Sequence, residues 1–599
     1  MGSYYLSRKA LASCTAISLV LLGSSAFAGP NDVPSIRDNV GTLQPEHILQ
    51  MPPERQDETP HIPAPPEEEI EIQSESGISI SDVSSTTNQI GTLKASESGY
   101  DSAVWQYLDI NEARGLLQAL PKPIKSPALR EAIIKLLLAE AQPPRKSENI
   151  WLLERSDALL RIGKTAQAAS LLNAVPESMR EGEMLQPYLQ TMLLDSQADR
   201  ACDLLDILPK DSELYDASFD RLELYCHVTR GEYEKAELAM NLKHEQGNPY
   251  EAWLTSLLES MHYEGTRMSA MPDSPEDIDL AMLLSAGSTR LPKDTPLMGY
   301  LDQDYLAYHP LMASNEYNNA GIRASYMEQQ IANGDGSPEK LAELYAELSS
   351  RPSAEDRGLI ARAKAYQALV KAPNTRKALQ NFNEAQKAFA GHPELTDRML
   401  LTPLKAISMT MPSNQPYLAF APKAFRILTK AGETELAGKW LRIMDVHRPE
   451  APVTYLTHEL ARFIEETRDP LELSPAARSL PPYAMPEQVD SRALRPIQRY
   501  YRLAEAFGYV PPEVTQALMD EAASSNSTGE TPWNVNEIND YTDRGSMAGI
   551  LLTASALQAE SGWENMDDDS VAILVEALIK LGYKPLAKHV AIESILSLL

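Results

Sequence analysis

The chain has 599 residues, 84 of them acidic and 54 basic, with a formal net charge of −30 at neutral pH. No basic stripe interrupts this acidity, which argues against a nucleic-acid ligand and against docking on an anionic membrane surface, and leaves cationic partners open. Three cysteines and ten scattered histidines form no zinc-ligand spacing, and no phosphate loop, nucleophile elbow or cofactor fingerprint is present, so no metal or cofactor is expected.

Arg8 and Lys9 precede a mostly apolar run over residues 10–22, and Ala26-Phe27-Ala28 is an Ala-x-Ala cleavage site. This is the pattern of a secretory signal over 1–28, with a mature chain starting at Gly29. The apolar run is shorter than the roughly 20 residues that a span needs. The expected product has no transmembrane anchor after processing and lies in the periplasm of a two-membrane bacterium, or is secreted; a retained anchor is the alternative. Leu11-Ala-Ser-Cys14 has the look of a lipidation box, but its apolar region follows the cysteine instead of preceding it. Across 29–99, acidic residues outnumber basic ones thirteen to three among prolines and serines. So little apolar mass cannot offset the entropy of ordering, which predicts a disordered acidic tether. Within it Ile70, Ile72, Ile78 and Ile80 alternate with polar residues and could form a short strand on a partner.

Helical periodicity starts near Ala103 and dominates thereafter. Residues 112–121 and 129–141 are amphipathic units. Ala169-Ser-Leu-Leu-Asn-Ala-Val-Pro176 is echoed 33 residues later by Cys202-Asp-Leu-Leu-Asp-Ile-Leu-Pro209. Gly163, followed by Ala168 and Leu171, returns as Gly231, Ala236 and Ala239, a shift of 68 or about twice 34. It returns again as Gly432, Ala437 and Trp440, and as Gly582, Ala587 and Val590. A glycine that turns the chain, a small residue that lets two helices approach, and a proline that stops the second helix together specify a helical hairpin. One hairpin cannot bury its own apolar face, so such units stack.

This cadence resembles the tetratricopeptide repeat, most closely at Gly231-Glu-Tyr-Glu-Lys-Ala236. The Trp-x2-Leu-Gly phrase that opens the family's first helix is missing ahead of each turn. The resemblance implies an all-α, right-handed superhelical solenoid of antiparallel hairpins. The expected order is tetratricopeptide-like repeats over 100–265, an irregular helical connection over 266–335, central repeats over 336–469, a proline-rich strap over 470–490 and C-terminal repeats over 491–599. An elongated or curved array is expected, divided into lobes near 265–335 or 470–490. In an oxidising compartment Cys202 and Cys226 can pair as a disulfide, or they can be two small core residues.

The resemblance implies a non-catalytic adaptor that holds a protein or peptide ligand of the cell envelope on its concave face. Cell-wall, envelope-assembly and flagellar-motor complexes are the candidate settings, peptidoglycan association among them. Arg499, Tyr500, Tyr501, Arg502 and Tyr509 form a candidate partner-binding cluster, since arginine and aromatic anchors suit recognition surfaces, although core packing competes for them. A second aromatic group is Tyr300, Tyr305 and Tyr308 with His309. The rival function is a peptidoglycan-cleaving lytic enzyme or its helical regulatory arm. Glu560-Ser561 resembles the acid of lytic transglycosylases, but the Gly-Leu-Met-Gln phrase of that family is absent and only 38 residues follow Ser561. Gly562 makes Glu560 look like a helix-end residue. Asp567-Asp-Asp569 lacks the spacing of a calcium loop and reads as an acidic flank of a helix N-terminus. Ser337-Pro-Glu-Lys340 reads as a cap with proline in the first turn.

Overall fold

The computed structural model describes residues 88–599 apart from short internal stretches, the longest being 288–305, 484–490 and 513–534. The expected signal at 1–28 and the tether up to residue 87 lie outside the described residues, as do Tyr300 and Tyr305. Every regular element among the described residues is a helix, and three isolated parallel bridges are the strand-like pairings found with them. None of these helices is long and apolar enough to cross a membrane.

In chain order the first helices are α1 (Ala95–Ser98), α2 (Ile110–Gln118), α3 (Pro127–Leu138), α4 (Trp151–Arg161), α5 (Thr165–Asn173), α6 (Leu185–Leu194), α7 (Ala198–Asp206), α8 (Ala217–Thr229), α9 (Tyr233–Glu245) and α10 (Ala252–His262). The middle of the chain holds α11 (Asp277–Gly287), α12 (His309–Ser314), α13 (Ala320–Ala332), α14 (Pro338–Ser350), α15 (Arg357–Val370), α16 (Thr375–Ala388), α17 (Pro393–Thr410), α18 (Ala421–Lys430), α19 (Thr434–His447), α20 (Pro452–Glu465) and α21 (Pro475–Arg478). The last are α22 (Ser491–Ala506), α23 (Val535–Arg544), α24 (Met547–Ser561), α25 (Asp568–Lys580) and α26 (Lys584–Leu596). Most helices pack on the next in the chain, as in the pairs α4–α5, α6–α7, α15–α16, α18–α19 and α25–α26.

One turn builds these pairs. Gly163, Gly231, Gly432 and Gly582 have φ of 80°, 77°, 73° and 90°. The amide after each glycine bonds back across the helix end: Lys164 to Leu159, Glu232 to His227, Glu433 to Leu428 and Tyr583 to Leu578, each at 2.8 Å. This is the Schellman end, in which a left-handed residue lets the last carbonyls find donors. Five residues on, Ala168, Ala236, Ala437 and Ala587 are buried against the preceding helix. The same turn occurs where no glycine marks it. Ser196 has φ 62°, Gln197 bonds back to Met192 at 2.8 Å, and Ala201 is buried five residues later. Ser196 lies 33 residues after Gly163 and 35 before Gly231, so it supplies the turn that the 68-residue shift passes over.

Two expectations need correction. The disordered stretch expected over 29–99 does not extend to residue 99. Thr92 and Leu93 donate to the Leu138 carbonyl, Glu140 donates back to Leu93, and Asn88 is buried. Fully buried Arg155 donates to the carbonyls of Ile90, Leu137 and Ala139, and burial pulls its guanidinium down to about 9. Backbone polar groups, not apolar mass, order this segment, which is why composition did not reveal it. Nor is the array parted into lobes. The described residues from 88 onward form one unit in which α2 packs on α24, and α3 on both α24 and α26. In the strap, Leu473, Leu480 and Tyr483 pack inward as expected, while Leu471 is exposed.

Glu593 of α26 makes the join. Its carboxylate accepts from the Ala128 amide at 3.1 Å and the Ser126 hydroxyl at 3.0 Å, at the N-terminus of α3, and from the Trp563 indole at 2.9 Å. Burial pushes the Glu593 carboxyl up, while the Ala128 and Trp563 hydrogen bonds oppose it. Arg544 grips Glu112 with two nitrogens at 2.8 and 3.2 Å, and Lys125 donates to the Ala559 carbonyl at 2.9 Å.

The turn glycines differ in what an added Cβ would meet. At Gly582 it meets nothing within 4 Å, whereas at Gly163 it meets Leu306 Cβ and Asn333 Nδ2 at 2.9 Å. We expect Gly582→Ala to cost about 1 kcal/mol, the left-handed strain alone. Gly163→Ala should cost about 2–4 kcal/mol because overpacking is added. Urea unfolding of the two variants should show that order.

Candidate functional site

The sequence-predicted cluster on α22 is interior, which corrects its assignment as a partner-binding surface. Arg499 is 0% exposed and spans three elements. Its Nε pairs with Asp568 at 2.6 Å, and its Nη1 donates to the carbonyls of Trp563 at 2.6 Å and Ser594 at 3.3 Å. Its Nη2 donates to the Met566 carbonyl. Tyr500 donates to Glu459 at 3.3 Å, and Tyr501 shares a 2.5 Å bond with the Tyr455 hydroxyl. Tyr500 and Tyr509 surround Phe463 with Phe507. Burial drives the Tyr500 phenol well above its ordinary range. Arg502 alone is half-exposed, pairing with Asp569 at 3.0 Å and Glu576 at 3.4 Å. These side chains are anchors, as their types suggested, but of α22 on α20 and α25.

The other singled-out residues fall as follows. Tyr308 and His309 are buried. Cys202 on α7 and Cys226 on α8 form a disulfide with Cα atoms 5.4 Å apart. Glu560 is exposed at the end of α24, with Gly562 at φ 72° just beyond. Asp567 caps α25 by accepting from the Ser570 amide at 2.7 Å, and Ser337 accepts from the Lys340 amide at 3.2 Å ahead of α14. Among the described residues no group of three or more His, Cys, Asp or Glu side chains could hold a metal ion.

What the residues do present is an open face on α9. This helix buries Ala236 alone, whereas α5 and α19, which follow the same turn, bury five and six residues. Its main neighbour is α8. Glu234, Glu237, Leu238, Asn241, Leu242 and Glu245 are exposed and share one helical face at i, i+3 and i+4 spacing. Leu238 is 61% exposed and Leu242 48%. The seventh residue after each turn shows how α9 departs from its counterparts. It is Ser170, Asp203, Lys439 and His589 elsewhere, all polar and none buried, but Leu238 in α9. That comparison was available in the sequence, although it required Ser196 to be recognised as a turn. Ion pairs stiffen the base of the face. Arg230 joins Asp203 at 2.7 Å and Asp206 at 2.6 Å, and Glu232 accepts from Lys235 at 2.9 Å and faces His227 Nδ1 at 2.8 Å. Hydrogen bonds from Lys235 and then His227 hold the Glu232 carboxyl below its ordinary value.

No protein-family model, curated protein or solved structure matches the chain. The tetratricopeptide resemblance therefore rests on the turn and its spacing.

Truncating Arg499 to Ala takes a charged donor from Asp568 and from three carbonyls, of which Met566 keeps Arg495 and Ser594 keeps Ser597, and should cost about 3–5 kcal/mol, whereas Arg502→Ala, among exposed carboxylates, should cost under about 1 kcal/mol. Replacing Cys202 and Cys226 with Ala should remove about 3 kcal/mol, as expected for a loop closed over 24 residues. Chemical denaturation reads both.

Proposed function

We propose that this chain is an exported, non-catalytic adaptor of the cell envelope, built as a solenoid of tetratricopeptide-like hairpins, and that it docks a protein partner on the open face of α9. The observation that carries the reading is the Leu238–Leu242 pair at outward register, rimmed by Glu234, Glu237 and Glu245. Two leucines one turn apart supply a hydrophobic contact, and the rim supplies steering and register. The partner that fits is an amphipathic segment with apolar anchors flanked by lysine or arginine. The contact is assigned to α9 and not to a concave face because α2 and α3 pack against α24 and α26 across the ends of the array. The disulfide between α7 and α8 suits an oxidising compartment such as the periplasm. The acidic N-terminal stretch supplies reach.

A photo-reactive residue placed at Leu238 or at Leu242 in cells should give one discrete heteromeric adduct, and the same probe at exposed Glu131 should not. Leu238→Glu with Leu242→Glu should abolish the partner's co-purification while leaving the unfolding midpoint within about 0.5 kcal/mol of wild type, since both side chains are exposed. Adducts of equal yield from Glu131, or none from α9, would sink the assignment.

A further inference from the structure

The acidity of the chain is uneven, which corrects the expectation that no basic stripe interrupts it. Across α15 to α18, residues 357–430, twelve basic residues stand among three acidic ones. The three carboxylates are engaged: Glu384 with Lys387 at 3.0 Å, Asp397 with Arg426 and Lys430 at 3.0 Å each, and Glu394 beside Lys430 at 3.8 Å. The cations of α15 divide by face. Arg362 is buried and grips Glu328 of α13 with two nitrogens, at 2.8 and 2.6 Å. Arg357, Lys364 and Lys371 are exposed, and their side chains make no ion pair or hydrogen bond among the described residues.

The exposed face of α15 has a definite register. Arg357, Ala361, Lys364, Ala368 and Lys371 follow one another at alternating steps of four and three. Every member is exposed, while Leu359, Ala363, Tyr366 and Leu369 are buried where α15 packs on α14 and α16. The Lys371 amide donates to the Gln367 carbonyl at 3.0 Å, so the helical turn continues through Lys371. Alternating steps of four and three are the spacing of the seam along which two helices pack. Here alanines fill one set of seam positions and cations the other. A second helix can therefore come close and find a charge every seven residues, about 10.5 Å apart. Helix α16 flanks the seam, since Asn381 donates to the Ala368 carbonyl at 2.6 Å. Lys377, one turn before Asn381 on the same face, is exposed and has no ion pair among the described residues.

We propose that this seam is a docking surface for an acidic α-helix of a partner protein, whose carboxylates, seven residues apart, meet Arg357, Lys364 and Lys371. Charge complementarity selects the partner. In a chain of net charge −30, a local row of unpaired cations is where an acidic segment is attracted instead of repelled. Spacing selects its form. A partner helix covers seven residues in the same ~10.5 Å as α15, so the charges stay in register along the contact. Duplex nucleic acid carries one charge per about 1.7 Å, far denser than this row, and the acidity of the rest of the chain opposes it. The seam is separate from the α9 face and opposite to it in charge, so the two surfaces take unlike partners and neither depends on the other.

The test is a fluorescence-anisotropy titration of the full chain with an alanine-rich helical peptide of about 22 residues that carries glutamates seven apart. The peptide should bind saturably at one per chain. An isomer of the same composition with its glutamates out of register should bind at least about fivefold more weakly. Lys364→Glu with Lys371→Glu should weaken binding by about tenfold or more, whereas Lys364→Arg, or a reversal elsewhere such as Lys580→Glu, should leave it within about twofold. The double variant should melt within about 2 °C of wild type, because both side chains are exposed and unpaired. The proposal is overturned by absence of saturable binding, by equal binding of the isomer, by equal binding to the double variant, by lower melting of that variant, or by tighter binding of polyphosphate or of a duplex oligonucleotide. Sedimentation of the chain alone addresses the remaining occupant: self-association that the double variant abolishes assigns the seam to a second copy and overturns the proposal as well.

Discussion

The contact on which the rest of this structure depends is Glu593 at the N-terminus of α3. A helix end leaves amides without partners, and here a carboxylate from the last helix of the chain satisfies one of them while Ser126, the cap of the same helix, bonds to it as well. The third bond, from Trp563, fixes the loop before α25, and Arg499 ties α22 to that loop through its carbonyls. A run of helix pairs joined only to their neighbours would bend freely. This polar knot, with α2 and α3 on α24 and α26 around it, converts the run into a closed set of contacts. A buried carboxylate is costly in itself, and three donors converging on it make the arrangement tolerable and specific.

Much of the helical plan was legible in the residues, and the misses share a cause. The turns at Gly163, Gly231, Gly432 and Gly582 could be read because glycine is the usual residue at φ near +80°. Ser196 occupies the same conformation without glycine, so the glycines alone give a spacing of 68, about twice the 33 of the Ala169 and Cys202 echo, and hide the turn that divides it into 33 and 35. The 88–99 segment was misread because it is held by its backbone and by Arg155, neither of which composition reports. The α22 cluster shows the limit of residue-type reasoning. Arginine and tyrosine are anchors both at interfaces and in interiors, and what decides between the two is whether another part of the chain arrives to cover them. Here α20 and α25 do. The closure itself has no local trace, since Glu593 and Ser126 are far apart in sequence and neither is unusual where it stands.

On α9 a hydrophobic pair stands where the register of the other helices places polar residues, so the departure is from the chain's own pattern. Local rules broken without compensation inside a molecule are where function is most profitably sought.

The closure also has a consequence in time. Part of the cover of α2 and α3 is supplied by α24 and α26, so a chain emerging N-terminus first presents partly uncovered apolar helices until those two arrive. Local helix pairs can form at once, because their contacts are short in sequence, but the joining step waits for a long loop to close. A chain cut short anywhere before α24 keeps α4 beside α2 and α3 but lacks the helices that close over them. Synthesis as far as α26 and completion of folding are therefore coupled, and products truncated earlier are left with the exposed surface on which chaperones and proteases act.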